Sequence, residues 1–223
     1  MIYKIRRKVE LLMMCIAVSF LAGCTTIGVH HRVDKDNFGP PEPLRICLFQ
    51  DEGISDAQRD GIIEALQTEF SRFGIDIQVP WVKPWKRTHF GVIDEGKEIA
   101  ECPLEAPCDR YMVLLGRTVG DALYGMLPMP QAYGKVDPET MSKGVSVAEF
   151  EWSLSYLLPF NSPKSTVIHE TYHLLGCGHQ LDAGVCYDTI KEMKTAARKL
   201  RSSGVDFFPS RNYGTGRILK SRR

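Results

Sequence analysis

His169-Glu170-Thr171-Tyr172-His173-Leu174-Leu175-Gly176-Cys177-Gly178-His179 constrains this chain more than any other stretch. Residues four apart lie one above the other on a helix, so His169 and His173 present two imidazoles to one point, with Glu170 one residue round from them. Gly176 supplies the left-handed backbone that ends a helix, and the chain then turns back so that His179 completes a three-nitrogen set. A bare H-E-x-x-H arises by chance in roughly one such chain per hundred; the added glycine and third histidine lower that to about a few in a hundred thousand. His30, His31 and His89 have no such company and read as surface or linker residues.

Three imidazoles with a fourth position open form the donor set of one catalytic Zn2+, here held by His169, His173 and His179. Zinc in such a site lowers the pKa of its bound water towards ~7, and Glu170 is placed to take the proton as general base while the water attacks a polarised carbonyl. The expected reaction is hydrolysis of a peptide bond in a peptide or protein substrate. The flanking sequence predicts a helix: Asn161 or Ser162 caps it, Pro163 suits its first turn, and Val167, Ile168, Thr171, Leu174 and Leu175 make a broad buried face. Two alternatives stand beside this reading. One is a zinc-binding envelope lipoprotein without catalysis, acting as a binding module; the other is a structural lipoprotein whose three histidines are satisfied core residues.

Lys4, Arg6, Arg7 and Lys8 precede an apolar run from Leu11 to Ala22, the charged n-region and short h-region of a secretory signal. Leu21-Ala22-Gly23-Cys24 follows and resembles a bacterial lipobox, which implies a signal over 1–23 and a membrane partner through lipid on Cys24. Thr25 after the cysteine, by resemblance to Gram-negative lipoproteins, implies the outer membrane facing the periplasm in a Gram-negative cell, and the cell surface in an organism with one membrane. Residues 24–43 are polar, end in Gly39-Pro40-Pro41-Glu42-Pro43, and read as a tether. Residues 44–223 are long enough for one domain with a sizeable core, and the formal net charge of +1 gives no reason to expect a nucleic-acid partner.

Export into an oxidising compartment permits disulfides. Cys15 leaves with the signal and Cys24 carries lipid, so Cys47, Cys102, Cys108, Cys177 and Cys186 remain. Cys102 and Cys108 flank a proline-containing loop that they would close, Cys177 and Cys186 would staple the segment after the histidine helix, and Cys47 reads as a buried thiol in an apolar strand.

The domain reads as α/β. Leu44–Phe49, Ile75–Val79 and Tyr111–Leu115 are predicted strands. Ser55 and Gln58, in capping-box register, open a helix carrying Ile62, Ile63, Leu66, Phe70 and Phe73 on one face, ended by Gly74. Pro80–Pro107 reads as a long loop with one hairpin, anchored by Trp81 and Trp85. The stretch from Asp121 to Ala148 alternates turns with short strands, one of them an edge able to pair with an extended peptide. A last helix begins at Asp188 or Thr189, with Ile190, Met193, Ala197 and Leu200 inward, a solvated basic face of Lys191, Lys194, Arg198 and Lys199, and a stop at Gly204. The tail from Val205 is polar and basic and reads as partly loose.

The zinc motif resembles that of the metzincin clan of metallopeptidases, and the order of elements is most similar to the archaemetzincins; Asp121-Ala122-Leu123-Tyr124, the Tyr133-Gly134 turn and the Gly144–Ala148 strand take part in the resemblance. It implies a single zincin-like domain with a twisted mixed sheet, an active-site helix and a C-terminal helix, and gives the histidines and Glu170 the roles stated above. Archaemetzincins place a cysteine after the third histidine, then a C-x-M turn and a C-x-x-C pair. This chain has Gln180, Cys186-Tyr187-Asp188 and no such pair, so a second, cysteine-bound zinc is not expected. The clan's methionine under the metal is absent: Met193 reads as core packing, and Tyr187 as either an under-zinc or oxyanion-stabilising residue or a packed turn residue.

Overall fold

Glu42–Asp51 forms the central strand β1, apolar on both faces because both are covered. A computed structural model describes residues 36–89, 91–118, 120, 133–148, 163–179 and 183–210. The expected signal over 1–23, Cys24, the Asp121–Ala132 stretch, the expected cap at Asn161 or Ser162 and residues 211–223 lie outside the described residues.

Ser55 and Gln58 form the expected capping box and open α1, Asp56–Ser71, whose Ile62, Leu66 and Phe70 are buried. The chain then lays β2, Ile75–Gln78, and β3, Val82–Trp85, parallel to β1 along the same side of it. Helix α2, Val92–Glu101, leads to β4, Arg110–Leu115, and the strands β5, Gly134–Val136, and β6, Lys143–Val147, follow. The sheet order is β2-β1-β4-β6-β5, with β3 also on β1; β5 pairs antiparallel and is the last strand of the order among the described residues, while the other pairings are parallel. Helices α3, Pro163–Leu174, and α4, Ala183–Ser202, complete a mixed α/β fold. Among the described residues no helix is long and apolar enough to cross a membrane.

Strand alternation divides the core into two layers. Leu44, Ile46, Leu48, Met112 and Leu114 face a cluster that includes residues of α1, α3 and α4, whereas Cys47, Tyr111, Val113 and Leu115 face one that holds Val92 and Ile99 of α2. Trp81 and Trp85 do anchor their segment, each packed edge-on against Phe49 at 5.2 and 5.3 Å.

Several expectations need correcting. The long loop over 80–107 contains β3 and α2, and buried Glu95 organises the turn between them by accepting from the Trp85 indole and the Thr88 and His89 amides. Residues 38–43, read above as the end of a tether, belong to the folded part: Phe38 is buried against Phe73 and Tyr187, and β1 begins at Glu42. The basic face of α4 is not simply solvated. Lys194 is fully buried and donates to the carbonyls of Phe38 and Phe73, while Arg198 and Arg201 pair with buried Glu42. The last helix begins at Ala183, several residues earlier than expected. Phe207 and Phe208 are buried, so the tail is packed as far as Ser210.

The disulfide expected between Cys102 and Cys108 does not form. Parallel pairing of β1 with β4 brings Cys108, just before β4, beside Cys47, and these two are bonded with Cα atoms 5.6 Å apart. Cys47 is therefore no free thiol, and Cys102 is one, its Sγ turned back to the Glu98 carbonyl at the end of α2. Cys177 and Cys186 are bonded to each other.

Candidate metal centre

Helix α3 begins with Pro163, whose missing N–H has no helical partner to lose, and ends in a Schellman turn. The Cys177 amide donates to Tyr172 O and the Gly176 amide to His173 O, with Gly176 at φ 87°. That left-handed residue reverses the chain and brings His179 back over the last turn of the helix. Arg110, fully buried on β4, fixes the same end by donating Nε to Leu174 O at 2.9 Å, placing a cation at the negative end of the helix.

The three histidines come together as their spacing requires. Their ring centroids stand 4.6, 5.4 and 4.4 Å apart, and their donor nitrogens lie within 4.8 Å of one another. His173 Nδ1 lies 2.6 Å from Cys177 O. A carbonyl only accepts, so Nδ1 carries the proton and Nε2 keeps a free lone pair; a backbone carbonyl orienting a ligand imidazole is the usual arrangement around protein-bound zinc. That lone pair stands 3.0 Å from His169 Nε2. Two nitrogens each ~2.0–2.1 Å from a tetrahedral ion stand roughly 3.3 Å apart, so the pair fits zinc with little movement. Burial, and then the neighbouring His173 and His179, push the His169 imidazole down to about 4; burial also pushes His173 down, against the opposing effect of the Cys177 carbonyl. Neutral imidazoles are the form that binds metal.

Glu170 is 6 % exposed and lies against the edge of the sheet. A Cβ on Gly134 of β5 would overlap its Cγ, Cδ and Oε1, so the carboxyl occupies the space that any other residue at 134 would fill. Burial alone pushes this carboxyl up to about 8. A cation held by the histidines beside it acts in the opposite direction, favouring the carboxylate a general base requires.

Tyr187 is buried in α4, its ring against Phe38 at 6.1 Å and Phe73 at 5.5 Å. Met193 packs against the same cluster. Sequence reasoning missed three features of the site: the Cys177 carbonyl, the Arg110 clamp and the seat at Gly134. Only Gly134 carried a signal, as part of the turn that takes part in the family resemblance.

No protein-family model matches the chain, and no curated protein matches it significantly. Among solved structures it is similar to archaemetzincin from Methanopyrus kandleri, at 13% identity and a TM-score of 0.40, over 70% of this chain and 96% of that one. A likeness at this level assigns no role to any residue.

Proposed function

We propose that this chain is a zinc-dependent peptidase that hydrolyses peptide bonds, exported by its N-terminal signal and held at the cell envelope by lipid on Cys24. The observation that carries the catalytic part is the convergence of three imidazoles, their ligand nitrogens within 4.8 Å of one another, with the adjacent glutamate buried in its seat at Gly134. Zinc bound by His169, His173 and His179 would supply Lewis acidity for a water molecule and for the substrate carbonyl. Glu170 takes a proton from that water as its oxygen bonds to the carbonyl carbon. It then gives the proton to the nitrogen as the C–N bond breaks, leaving a carboxylic acid and an amine, between which the acid proton passes to give a carboxylate and an ammonium group. Strand β5 lies beside Glu170 at the sheet's edge, which favours an extended peptide lying along it by backbone hydrogen bonds. The lipid anchor rests on the charge pattern, the apolar run and the lipobox around Cys24.

Protein purified without chelator should contain one zinc per chain, in the wild type and in Glu170→Gln alike. Cleavage of a broad peptide library should fall about 10²–10⁴-fold in the variant. Cleavage unaffected by the substitution refutes the mechanism; absence of zinc refutes the site. Zinc without any cleavage in the wild type favours the binding module, which the missing clan methionine also favours.

A further inference from the structure

Ser146 of β6 is fully buried, and its Oγ has no hydrogen-bond partner among the described residues. A hydroxyl in that state has given up its hydrogen bonds to water for nothing, so a partner within its reach is to be sought. Its place in the sheet identifies one. Val145 and Val147 belong to the layer with α2, whereas a Cβ on Gly144 would meet Leu174 of α3; Ser146, two residues on from Gly144, faces α3 as well.

Directly across from Ser146 is Gly134. The flanking bonds, Asp137 N to Lys143 O and Val147 N to Tyr133 O, make Gly134 and Ser146 a pair without mutual backbone hydrogen bonds. Side chains stand closest in such pairs, with Cα atoms about 4.5 Å apart. The side-chain space of Gly134 is filled by the Glu170 carboxyl. The unpartnered hydroxyl and the carboxyl are therefore neighbours on one buried face, and a change of rotamer about the Ser146 Cα–Cβ bond is the movement that joins them.

We propose that Ser146 is a positioning residue for Glu170: its Oγ–H donates to one carboxylate oxygen, leaving the other to take the proton of the attacking water. Gly134 provides the room in which the two side chains meet. The proposal rests on Glu170 being the base, and its test separates the two. In zinc-loaded protein, Ser146→Ala should leave zinc affinity within twofold. The same substitution should weaken binding of acetohydroxamic acid, whose hydroxyl bonds to the base carboxylate, about 5–20-fold, and lower kcat by a similar factor at constant KM. Ser146→Cys, which keeps the volume but donates weakly, should resemble the alanine variant, and Ser146→Thr should restore most of the loss. If threonine is too large to fold there, the alanine and cysteine variants decide. Wild-type hydroxamate affinity and kcat in Ser146→Ala, with both lost in Glu170→Gln, overturn the positioning role and leave the base standing. Both retained in Glu170→Gln overturn the base and the proposal together.

Discussion

Replacing Cys177 and Cys186 together by alanine separates what their bond contributes to the fold from what it contributes to the metal. The sequence separation is 9, and the segment it closes carries His179. For a loop of about 10 residues the chain-entropy relation gives roughly 9 cal/mol/K, or about 2.7 kcal/mol at 25 °C. The zinc-loaded protein should lose about that much unfolding free energy. How the loss divides depends on whether the segment stays ordered without the bond. The Schellman turn holds its start and α4 holds its end, but His179 between them is exposed. The part borne by metal binding therefore has a ceiling of about 2.7 kcal/mol, or roughly 100-fold in zinc affinity, and a tenfold loss is the expected outcome.

Zinc affinity is measured by competition with a chromophoric chelator, and stability by urea unfolding of metal-free and zinc-loaded protein. Cys47→Ala/Cys108→Ala is the control. Its separation of 61 gives a larger entropic loss, about 4.3 kcal/mol, yet it joins β1 to the residues before β4 in the layer that packs on α2. It should therefore lower stability more and zinc affinity less than twofold. Equal losses of affinity in the two double variants, or none in Cys177→Ala/Cys186→Ala, refute the reasoning that this bond holds the third ligand in place.

Gly134→Ala should cost about 1–3 kcal/mol in metal-free protein, because its methyl group meets the Glu170 side chain; in a Glu170→Ala background most of that cost should vanish, and a cost that persists in urea unfolding places the clash elsewhere. Glu170 also gives a pH dependence: with its carboxyl at about 8 in the fold against an ordinary 4.5, the folded chain keeps a proton that the unfolded chain has lost, so its contribution to stability falls as pH rises from 4.5 to 8. Metal-free Glu170→Gln should match the wild type in melting temperature near pH 4.5 and exceed it increasingly towards pH 8; a gap that does not widen contradicts the burial of a protonated carboxyl. Lys194→Met should destabilise by about 2–4 kcal/mol, since the carbonyls of Phe38 and Phe73 lose their buried donor, and a loss under about 1 kcal/mol in urea unfolding contradicts that role.

The three-histidine cluster was legible because each of its requirements is local: the four-residue helical repeat, the glycine that ends the helix, and the short return to His179. Helix α2 was not, because its buried stripe is Val92, Glu95, Gly96 and Ile99, and a glutamate and a glycine break the apolar period. Glu95 is there to accept three donors from the segment before it, a reason visible only in the fold. The basic face of α4 misled for the same cause. Nothing near Lys194 in sequence announces that its partners are carbonyls 156 and 121 residues away. The cysteines divide likewise: the bond at a separation of 9 was legible, whereas the bond at 61 depends on parallel pairing of β1 with β4.

That division runs through the site itself. The three histidines that could hold a metal and the carbonyl that orients His173 all belong to residues 169–179, supported by one bond to Cys186. The seat of Glu170 belongs to the register that sets Gly134 opposite Ser146, fixed through a turn in which Asp137 accepts from the Glu139 and Thr140 amides. The proposed metal site and the placement of the proposed base thus have separate structural origins, so substitutions in each should act independently. Changes at Gly134 or Ser146 should alter turnover and hydroxamate binding at constant zinc affinity. Changes at Cys177 and Cys186 should alter zinc affinity while, at saturating zinc, kcat stays within about twofold. A double variant such as Ser146→Ala with Cys177→Ala/Cys186→Ala should then show additive effects within about 0.5 kcal/mol, and a larger interaction energy means that the segment carrying His179 and the seat of Glu170 move as one unit.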